Sequence, residues 1–137
     1  MAACAALVAL KVDYAMIKIG LSNFNSNENT GRFNIYNCNG VKIILDYGNN
    51  IEGYKKVLPT LRYITNGKIT GIIGVPGDRG NYVAKEIGKI SANYLDKIII
   101  KEDKDRRGKN IGEVAEVINQ GVLESKNNIK ARIILDE

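Results

Sequence analysis

Three polar segments carry most of the side chains that could bind a ligand: DYGNN (46–50), PGDRG (76–80) and KEDKDRRGKN (101–110). In the first segment, the Asp46 carboxylate could accept hydrogen bonds from ribose hydroxyls or help to hold a cation, and an asparagine amide could read the edge of a base. In the second, backbone N–H groups at a helix start could hold an anion. The third could recognise a charged amino acid, with carboxylates for a guanidinium and arginine for a carboxylate.

Each segment also has a structural interpretation. Asp46 or Asn50 could cap the helix that follows, and Asp78 could cap the helix after its own turn. The third segment has three acids and five bases in ten residues, which is typical of a solvated loop. From the residue types alone, both interpretations stay open for all three segments.

Arg32 is a further candidate, because it ends a polar linker, 22–32, that lacks any apolar period. Such a segment reads as a flexible joint, and an arginine after a joint could swing onto a phosphate group. Asn110 and Glu113 have the spacing of a capping box, so we interpret them as structural.

The composition excludes several classes of chemistry. The chain has no histidine, which removes histidine zinc sites, Ser-His-Asp hydrolysis and histidine general-base catalysis. It has neither a GxGxxG nor a Walker A sequence, so if it handles ATP it supplies only part of the ATP site. Cys4 and Cys38 lack metal-ligand spacing, and we interpret them as reduced thiols in a cytosolic protein. We expect no metal ligands in this chain.

Length, charge and hydropathy limit the number of domains and the classes of binding partner that we expect. With 137 residues, the chain is large enough for one domain with a core and too small for two. Its net charge of +5 comes from bases scattered among acids, which suits small anions and argues only weakly for nucleic acid. No apolar run is long enough to span a bilayer, and residues 2–10 are interpreted as a helix, not a targeting signal. We therefore expect a cytoplasmic protein that binds neither nucleic acid nor membrane.

The elements that must position the polar segments follow from periodicity. A helix is predicted over 2–10, and a second one is predicted to be capped by Asp13 and ended by Gly20. RFNIYNC and VKIIL, joined by Asn39-Gly40, predict a β-hairpin with a type I′ turn. Helices then alternate with strands, the helices at about 51–65, 81–94 and 111–124 and the strands at 69–75, 96–100 and 130–135.

This order predicts an α/β, Rossmann-like fold, with a mainly parallel sheet, helices on both faces and an N-terminal hairpin strand. Because the alternation starts at VKIIL, four strands are expected in the parallel sheet. Ligands bind outside the carboxyl ends of such strands. The three polar segments are therefore expected on one rim, with Asp46, Asp78 and Asp105 on the same side of the molecule.

Five stretches occur in an order that resembles a known family. GL..F, TGRFN, VKIILDYGNNIEGY, GIIGVPGDRG and DKIIIKEDKDRRGK resemble the C-terminal domain of the Mur ligase family, in particular its cyanophycin synthetase branch, which reads close to DYGHNPHGY, GPGDRR and REDEDLRGR. The resemblance extends from about Ile17 onward. It implies that residues 1–21 are the tail of a preceding central domain and that 22–137 are a Mur ligase C-terminal domain, truncated at its C-terminus.

The resemblance implies an ATP-dependent amide ligase that activates a carboxylate as an acyl phosphate for attack by an amine. In the cyanophycin synthetase branch, arginine is joined to the aspartate side chain of a growing acidic polymer, with ATP and Mg²⁺ bound mainly by the central domain. The parent is then expected to be a homo-oligomer, and this stretch alone is not expected to catalyse.

The resemblance also implies roles for individual residues. Arg32 is the catalytic candidate, since it would reach the ATP phosphates. The nucleotide contacts would come from Asp46, Tyr47, Asn49 and Asn50. The side that receives the incoming amino acid would be lined by Asp78, Arg79, Glu102, Asp103, Asp105 and Arg107.

The sequence departs from the family pattern at three of these positions. Asn49 stands where the family usually has histidine, Ile51 where it has proline, and Gly80 where it has a charged residue. Two alternatives therefore stay open: another Mur-type ligase, acting on a peptidoglycan precursor or a folate, and a non-catalytic Rossmann-like binding module. The paired GDR and EDxDxR segments favour the cyanophycin type.

Overall fold

The chain forms two compact units. The structure, a computed structural model, describes residues 2–25, 29–104 and 106–135. The N-terminal unit is Met1–Tyr47 and the C-terminal unit is Gly48–Glu137. None of the helices in the described ranges has both the length and the apolar character needed to cross a bilayer.

Two short helices open the N-terminal unit, α1 (Ala2–Ala9) and α2 (Tyr14–Asn23). The predicted cap is present, because the Asp13 carboxylate accepts a 2.7 Å hydrogen bond from the Ala15 N–H. The predicted end at Gly20 is wrong, since α2 continues past it. Glycine in a helix interior costs about 1 kcal/mol relative to alanine, but it keeps its N–H and so does not break the hydrogen-bond ladder.

The hairpin belongs to the same unit. Its strands β1 (Asn34–Cys38) and β2 (Val41–Leu45) pair antiparallel. Between them, Asn39 (φ 47°) and Gly40 (φ 80°) both have left-handed backbone. A type I′ turn requires this at both central residues, so the predicted hairpin is confirmed.

The C-terminal unit alternates helix and strand. Its elements are α3 (Ile51–Ile64), β3 (Thr70–Ile73), a 3₁₀ turn (Gly77–Arg79), α4 (Asn81–Tyr94), β4 (Lys97–Lys101), α5 (Glu113–Leu123) and β5 (Ala131–Ile134). Strands β3, β4 and β5 form a parallel sheet in that order, with Ile72, Ile99 and Arg132 side by side. The predicted α/β class, with a parallel sheet and helices, is confirmed.

The expectation of four parallel strands is wrong for the described residues. Strand β2 pairs with β1 in a separate two-stranded sheet, and the parallel ladder joins only β3, β4 and β5. The Asn39-Gly40 turn closes a very short loop, so pairing with the nearest strand in sequence costs β2 little loop entropy.

Helices α4 and α5 pack against each other and complete the core. At their crossing, a Cβ on Gly88 would overlap the carbonyl oxygen of Ile118, and a Cβ on Gly121 would overlap that of Lys85. The two helix backbones therefore touch directly, which only glycine permits at these positions.

The core lies on one face of the parallel sheet. Ile98 and Ile100 of β4 are buried there. Since side chains alternate between faces along a strand, Ile72 and Ile99 share the opposite face, where Ile72 is 67% exposed.

A polar clasp joins the end of α3 to the starts of β3 and β4. The Arg62 guanidinium donates hydrogen bonds to the carbonyl oxygens of Tyr94 (2.6 Å) and Gly67 (3.2 Å) and to the Asp96 carboxylate (2.8 Å). The same carboxylate oxygen accepts a 2.7 Å bond from the Ile69 N–H. Arg62 and Asp96 thus satisfy three backbone groups as well as each other, at the edge opposite to the carboxyl ends of the strands.

Candidate functional site

An open cleft of about 530 Å³ lies between the first turns of α3 and α4 in the C-terminal unit. It brings together two of the three polar segments, which are far apart in sequence. Its lining residues are Asn49, Asn50, Ile51, Glu52, Lys55, Asp78, Arg79, Tyr82 and Val83. Four of these, Asn49, Asn50, Asp78 and Arg79, are among the candidates predicted from the sequence.

Two glycines explain how the second segment approaches the third. A Cβ on Gly77, which is buried, would overlap the Arg106 carbonyl oxygen, and a Cβ on Gly74 would lie 2.8 Å from the Lys101 carbonyl oxygen. Any larger residue would push these loops apart. The glycines of GVPG therefore set the distance between two segments that end neighbouring strands.

Asn50 has a structural task in the cleft wall. Its Oδ1 accepts a 2.8 Å bond from the Gly53 N–H and so caps α3, which confirms the structural interpretation for this residue. Its Nδ2 donates to Asn49 Oδ1 at 3.0 Å. The cap thus orients the Asn49 amide, which stands where the family pattern has histidine.

Asp78 does not cap α4. The capping position belongs to Gly80 (φ 76°), with no side-chain hydrogen bond. The Asp78 carboxylate instead accepts a 2.5 Å bond from Arg107 Nη1 in the third segment. Within the described ranges no side-chain partner is seen for the neighbouring Arg79, which is exposed and lines the cleft.

Five of the nine lining residues were not predicted as site residues, and three of these five carry polar groups. Glu52 and Lys55 form an ion pair of 2.9 Å on the first turn of α3, and Tyr82 on the first turn of α4 is 71% exposed. The hydrogen bond to Glu52, followed by its charge, raises the pKa of Lys55 above the ordinary value. The i, i+3 spacing of the pair is a common surface pattern, so the sequence carried no signal that it faces a cleft.

Glu102 is not among the residues that line the cleft. It is only 6% exposed, and both of its carboxylate oxygens accept the Gly112 N–H, at 3.0 and 2.9 Å. Gly112 (φ 80°) begins α5, so this contact closes the third segment into a loop. Asp103 is exposed, and Asp105 lies outside the described residues.

The loop is also held at its far end. Lys109 Nζ donates to Glu113 Oε1 (2.6 Å) and to Asn81 Oδ1 (3.3 Å). Glu113 Oε2 accepts from the Asn110 N–H at 3.1 Å, so the acid half of the predicted capping box is present, although Gly112 holds the capping position.

The remaining candidates belong to the N-terminal unit. The fully buried Asn34 accepts hydrogen bonds through Oδ1 from the N–H groups of Gly31 (2.6 Å) and Arg32 (3.2 Å). The Tyr47 N–H donates to the Gly31 carbonyl oxygen at 2.7 Å. Asp46 does not cap α3; its Oδ2 accepts from the Phe33 N–H at 3.0 Å. The backbone around Arg32 is thus tied to the hairpin by hydrogen bonds.

Arg32 and Tyr47, predicted for different roles, lie together. The guanidinium carbon of Arg32 is 5.3 Å from the centre of the Tyr47 ring, within the range of a cation–π contact. Such a contact holds the guanidinium over the ring while its N–H groups stay available at the ring edge.

Comparisons with known proteins agree with these motifs. The family described as "Mur ligase, glutamate ligase domain" matches residues 31–134. Cyanophycin synthetases from Synechocystis sp. and Crocosphaera subtropica are 34% and 36% identical over the whole chain. A UDP-N-acetylmuramoyl-L-alanyl-D-glutamate–2,6-diaminopimelate ligase from Clostridioides difficile is 30% identical over 93% of the chain and 26% of that protein.

The solved structure of a folylpolyglutamate synthase from Thermotoga maritima aligns with a TM-score of 0.63 at 22% identity, over 90% of this chain and 27% of that one; at that identity it shows the fold alone. The chain spans 16% of the length of the two cyanophycin synthetases. Since the family match extends over about three quarters of the residues, this chain belongs to the Mur ligase family and carries its glutamate ligase domain.

Proposed function

We propose that this chain is the C-terminal domain of an ATP-dependent amide ligase of the cyanophycin synthetase type, and that the α3–α4 cleft forms part of its substrate site. The observation that carries the proposal is the meeting of Asn49 and Asn50 with Asp78 and Arg79 in one cleft. The family resemblance assigns the first pair to the nucleotide and the second to the incoming amino acid, and these two substrates must meet for the reaction.

The proposed reaction has two steps. A carboxylate oxygen of an acidic peptide attacks the γ-phosphorus of ATP, and ADP leaves with the bridging oxygen. The neutral amine of the incoming amino acid then attacks the acyl carbon, inorganic phosphate leaves with the oxygen that joined it to that carbon, and the nitrogen releases a proton to water as the amide bond forms. Both steps develop negative charge on oxygen, so guanidinium groups that face the reacting atoms favour them.

Two arginines of this chain could bind the negatively charged groups of the substrates. Arg79 has no described side-chain partner and lines the cleft, where it can bind the carboxylate of the amino acid in a bidentate manner. Arg32, held over Tyr47, is the proposed phosphate contact. Its backbone N–H donates to Asn34, which fixes the main chain from which the side chain extends.

The proposed cofactors are ATP and Mg²⁺, acting in the cytoplasm of the cell within a longer, oligomeric ligase. The described residues contain no group of three or more histidine, cysteine or acidic side chains arranged to hold a metal ion.

The test is a chimeric enzyme in which this chain replaces the matching segment of the Synechocystis cyanophycin synthetase. We expect ADP release that depends on arginine and on an acidic peptide acceptor. Arg32→Ala should abolish turnover, whereas Arg132→Gln, an equal loss of charge on β5, should not. Release that depends on diaminopimelate or glutamate would instead favour another Mur-type ligase.

A direct binding measurement guards against a chimera that fails to assemble. In the isolated chain, titration with arginine should shift the backbone NMR signals of 49–55 and 78–83 and leave those of β5 unchanged. If no ADP is released with any amino acid and no signal shifts, the proposal fails, and a non-catalytic binding module becomes the better description.

A further inference from the structure

We propose that Asp78 is a subsite for a guanidinium group, and that Arg107 of the chain itself occupies this subsite when no ligand is bound. This inference rests on the proposed function and deepens it. It adds a named residue for the recognition of a guanidinium substrate and an internal competitor that sets the affinity for it.

Asp78 contacts both the α3–α4 cleft and the neighbouring loop that carries Arg107. Its side chain lines the α3–α4 cleft, and its Oδ2 accepts the Arg107 Nη1 from the neighbouring loop. Arg107 is not among the residues that line the cleft. The carboxylate therefore already holds a guanidinium that arrives from outside the cleft, which demonstrates that the position accommodates this group.

The charges around the cleft explain why a ligand would have to compete. The ionisable lining residues are two acids, Glu52 and Asp78, and two bases, Lys55 and Arg79. Glu52 is neutralised by Lys55, and Asp78 is neutralised by Arg107. The positive charge of Arg79 is then left over, so the closed pair makes the cleft unfavourable for a cation. When Arg107 withdraws, Asp78 balances Arg79 and a guanidinium can enter.

The ion pair between Asp78 and Arg107 should cost little free energy to break. The side chains of Asp78 and Arg107 are 46% and 41% exposed, and ion pairs that exposed are weak because water screens them.

Competition of this kind lowers the apparent affinity of a ligand by the fraction of molecules in which the site is open. The probe is agmatine, which carries a guanidinium and no carboxylate and so does not engage Arg79. Arg107→Gln should tighten agmatine binding to the chain about two- to fivefold, the range expected for loss of an exposed ion pair. The measurement is isothermal titration calorimetry at low ionic strength.

Arg132→Gln is the matched control, because it removes the same charge from an exposed position on β5. It corrects for the general attraction of a cation to a less positive protein. Asp78→Asn should abolish agmatine binding, and in that background Arg107→Gln should bring no gain, which makes a double-mutant cycle.

Three outcomes overturn the inference. The first is an equal change in agmatine affinity in Arg107→Gln and Arg132→Gln, and the second is weaker agmatine binding by Arg107→Gln than by the parent chain. The third is that neither the parent chain nor Arg107→Gln binds agmatine. The proposed function is judged separately by ADP release from the chimera. If the chimera releases ADP in an arginine-dependent way while Arg107→Gln and Arg132→Gln change agmatine binding equally, the inference is wrong and the proposed function stands. Tighter agmatine binding in Arg107→Gln without any ADP release removes the function and leaves the subsite.

Discussion

The two units of the chain are stabilised by different means. Every buried apolar side chain among the described residues belongs to the C-terminal unit, from Tyr54 to Val122. In the described part of the N-terminal unit, the one buried residue is polar, Asn34. Large apolar side chains there, such as Leu10 and Phe24, are exposed.

This difference separates two ways of specifying structure. The C-terminal unit removes apolar surface from water, which contributes roughly 25 cal/mol per Å², and its packing fixes which helices meet. The N-terminal unit relies on local rules: a cap at Asp13, a left-handed turn at Asn39 and Gly40, and an asparagine that binds two N–H groups. Substitutions of one residue type should therefore have opposite consequences in the two units.

Gly88→Ala should give the largest effect. The added Cβ would overlap the carbonyl oxygen of Ile118, a main-chain atom that cannot rotate away. Overpacking of this kind costs about 1–3 kcal/mol or more, so we expect the free energy of unfolding of the C-terminal unit to fall by about 2 kcal/mol. Urea denaturation followed by circular dichroism measures it.

Gly20→Ala is the matched control for that prediction, because Gly20 is also helical and nothing lies within 4 Å of the place that the new methyl group would occupy. We expect a gain of up to about 1 kcal/mol in the stability of α2, from helix propensity alone. Equal signs for the two alanine variants would show that the units do not differ in packing as described.

Asn34→Ala should have the second largest effect, and it should be confined to the N-terminal unit. The N–H groups of Gly31 and Arg32 would lose their acceptor in a part-buried position, at about 1–3 kcal/mol. Hydrogen exchange at the amide of Tyr47, which donates to Gly31, should quicken about tenfold or more. Asn37→Ala, at an exposed position of the same strand, should leave that rate unchanged; similar rates in both variants would contradict the role of Asn34.

The smallest expected effect concerns the clasp of the C-terminal unit and depends on pH. The hydrogen bond from Arg62, together with the one from the Ile69 N–H, lowers the pKa of Asp96. A lowered folded pKa means that the carboxylate stabilises the fold above its unfolded pKa, about 4, and that this contribution disappears as the pH falls through the folded pKa.

We therefore expect Asp96→Asn to lower the free energy of unfolding at pH 7 and to approach the parent protein as the pH falls below about 4 and through the folded pKa. Denaturation curves between pH 7 and pH 2 measure the difference. Arg62→Gln should keep part of its deficit at low pH, because the Arg62 guanidinium also donates to the carbonyl oxygens of Tyr94 and Gly67, and these bonds do not depend on the charge of Asp96. If the difference in the free energy of unfolding between Asp96→Asn and the parent protein stays constant from pH 7 to pH 2, the clasp does not depend on the charge of Asp96.

Local signals predicted most of the elements. Asn39-Gly40 specified the hairpin because few residues tolerate two consecutive left-handed positions, and the alternation of apolar runs with turn residues specified α3 to β5. The same reasoning failed at Gly20, where a residue that often ends helices lies inside one. It also failed for β2, because periodicity reports that a strand exists but not which strand it pairs with.

Of the candidate site, the sequence predicted that DYGNN and PGDRG approach each other, and Asn49 and Asn50 do share a cleft with Asp78 and Arg79. It did not predict that Glu102 is buried against Gly112, nor that Lys55 and Tyr82 face the cleft. Such positions depend on how loops and helices pack, for example on the close contacts of Gly74 and Gly77 with the third segment.

By itself, the sequence determined the order of the elements, the turn and cap residues, the kinds of group available for binding, and, through its motifs, the Mur ligase family. The tertiary structure alone decided which charged groups far apart in sequence neutralise each other: Asp78 with Arg107, and Arg62 with Asp96. The reason is physical. Secondary structure follows from interactions within a few residues, whereas an ion pair depends on distances of a few ångströms between residues that packing, not sequence spacing, brings together.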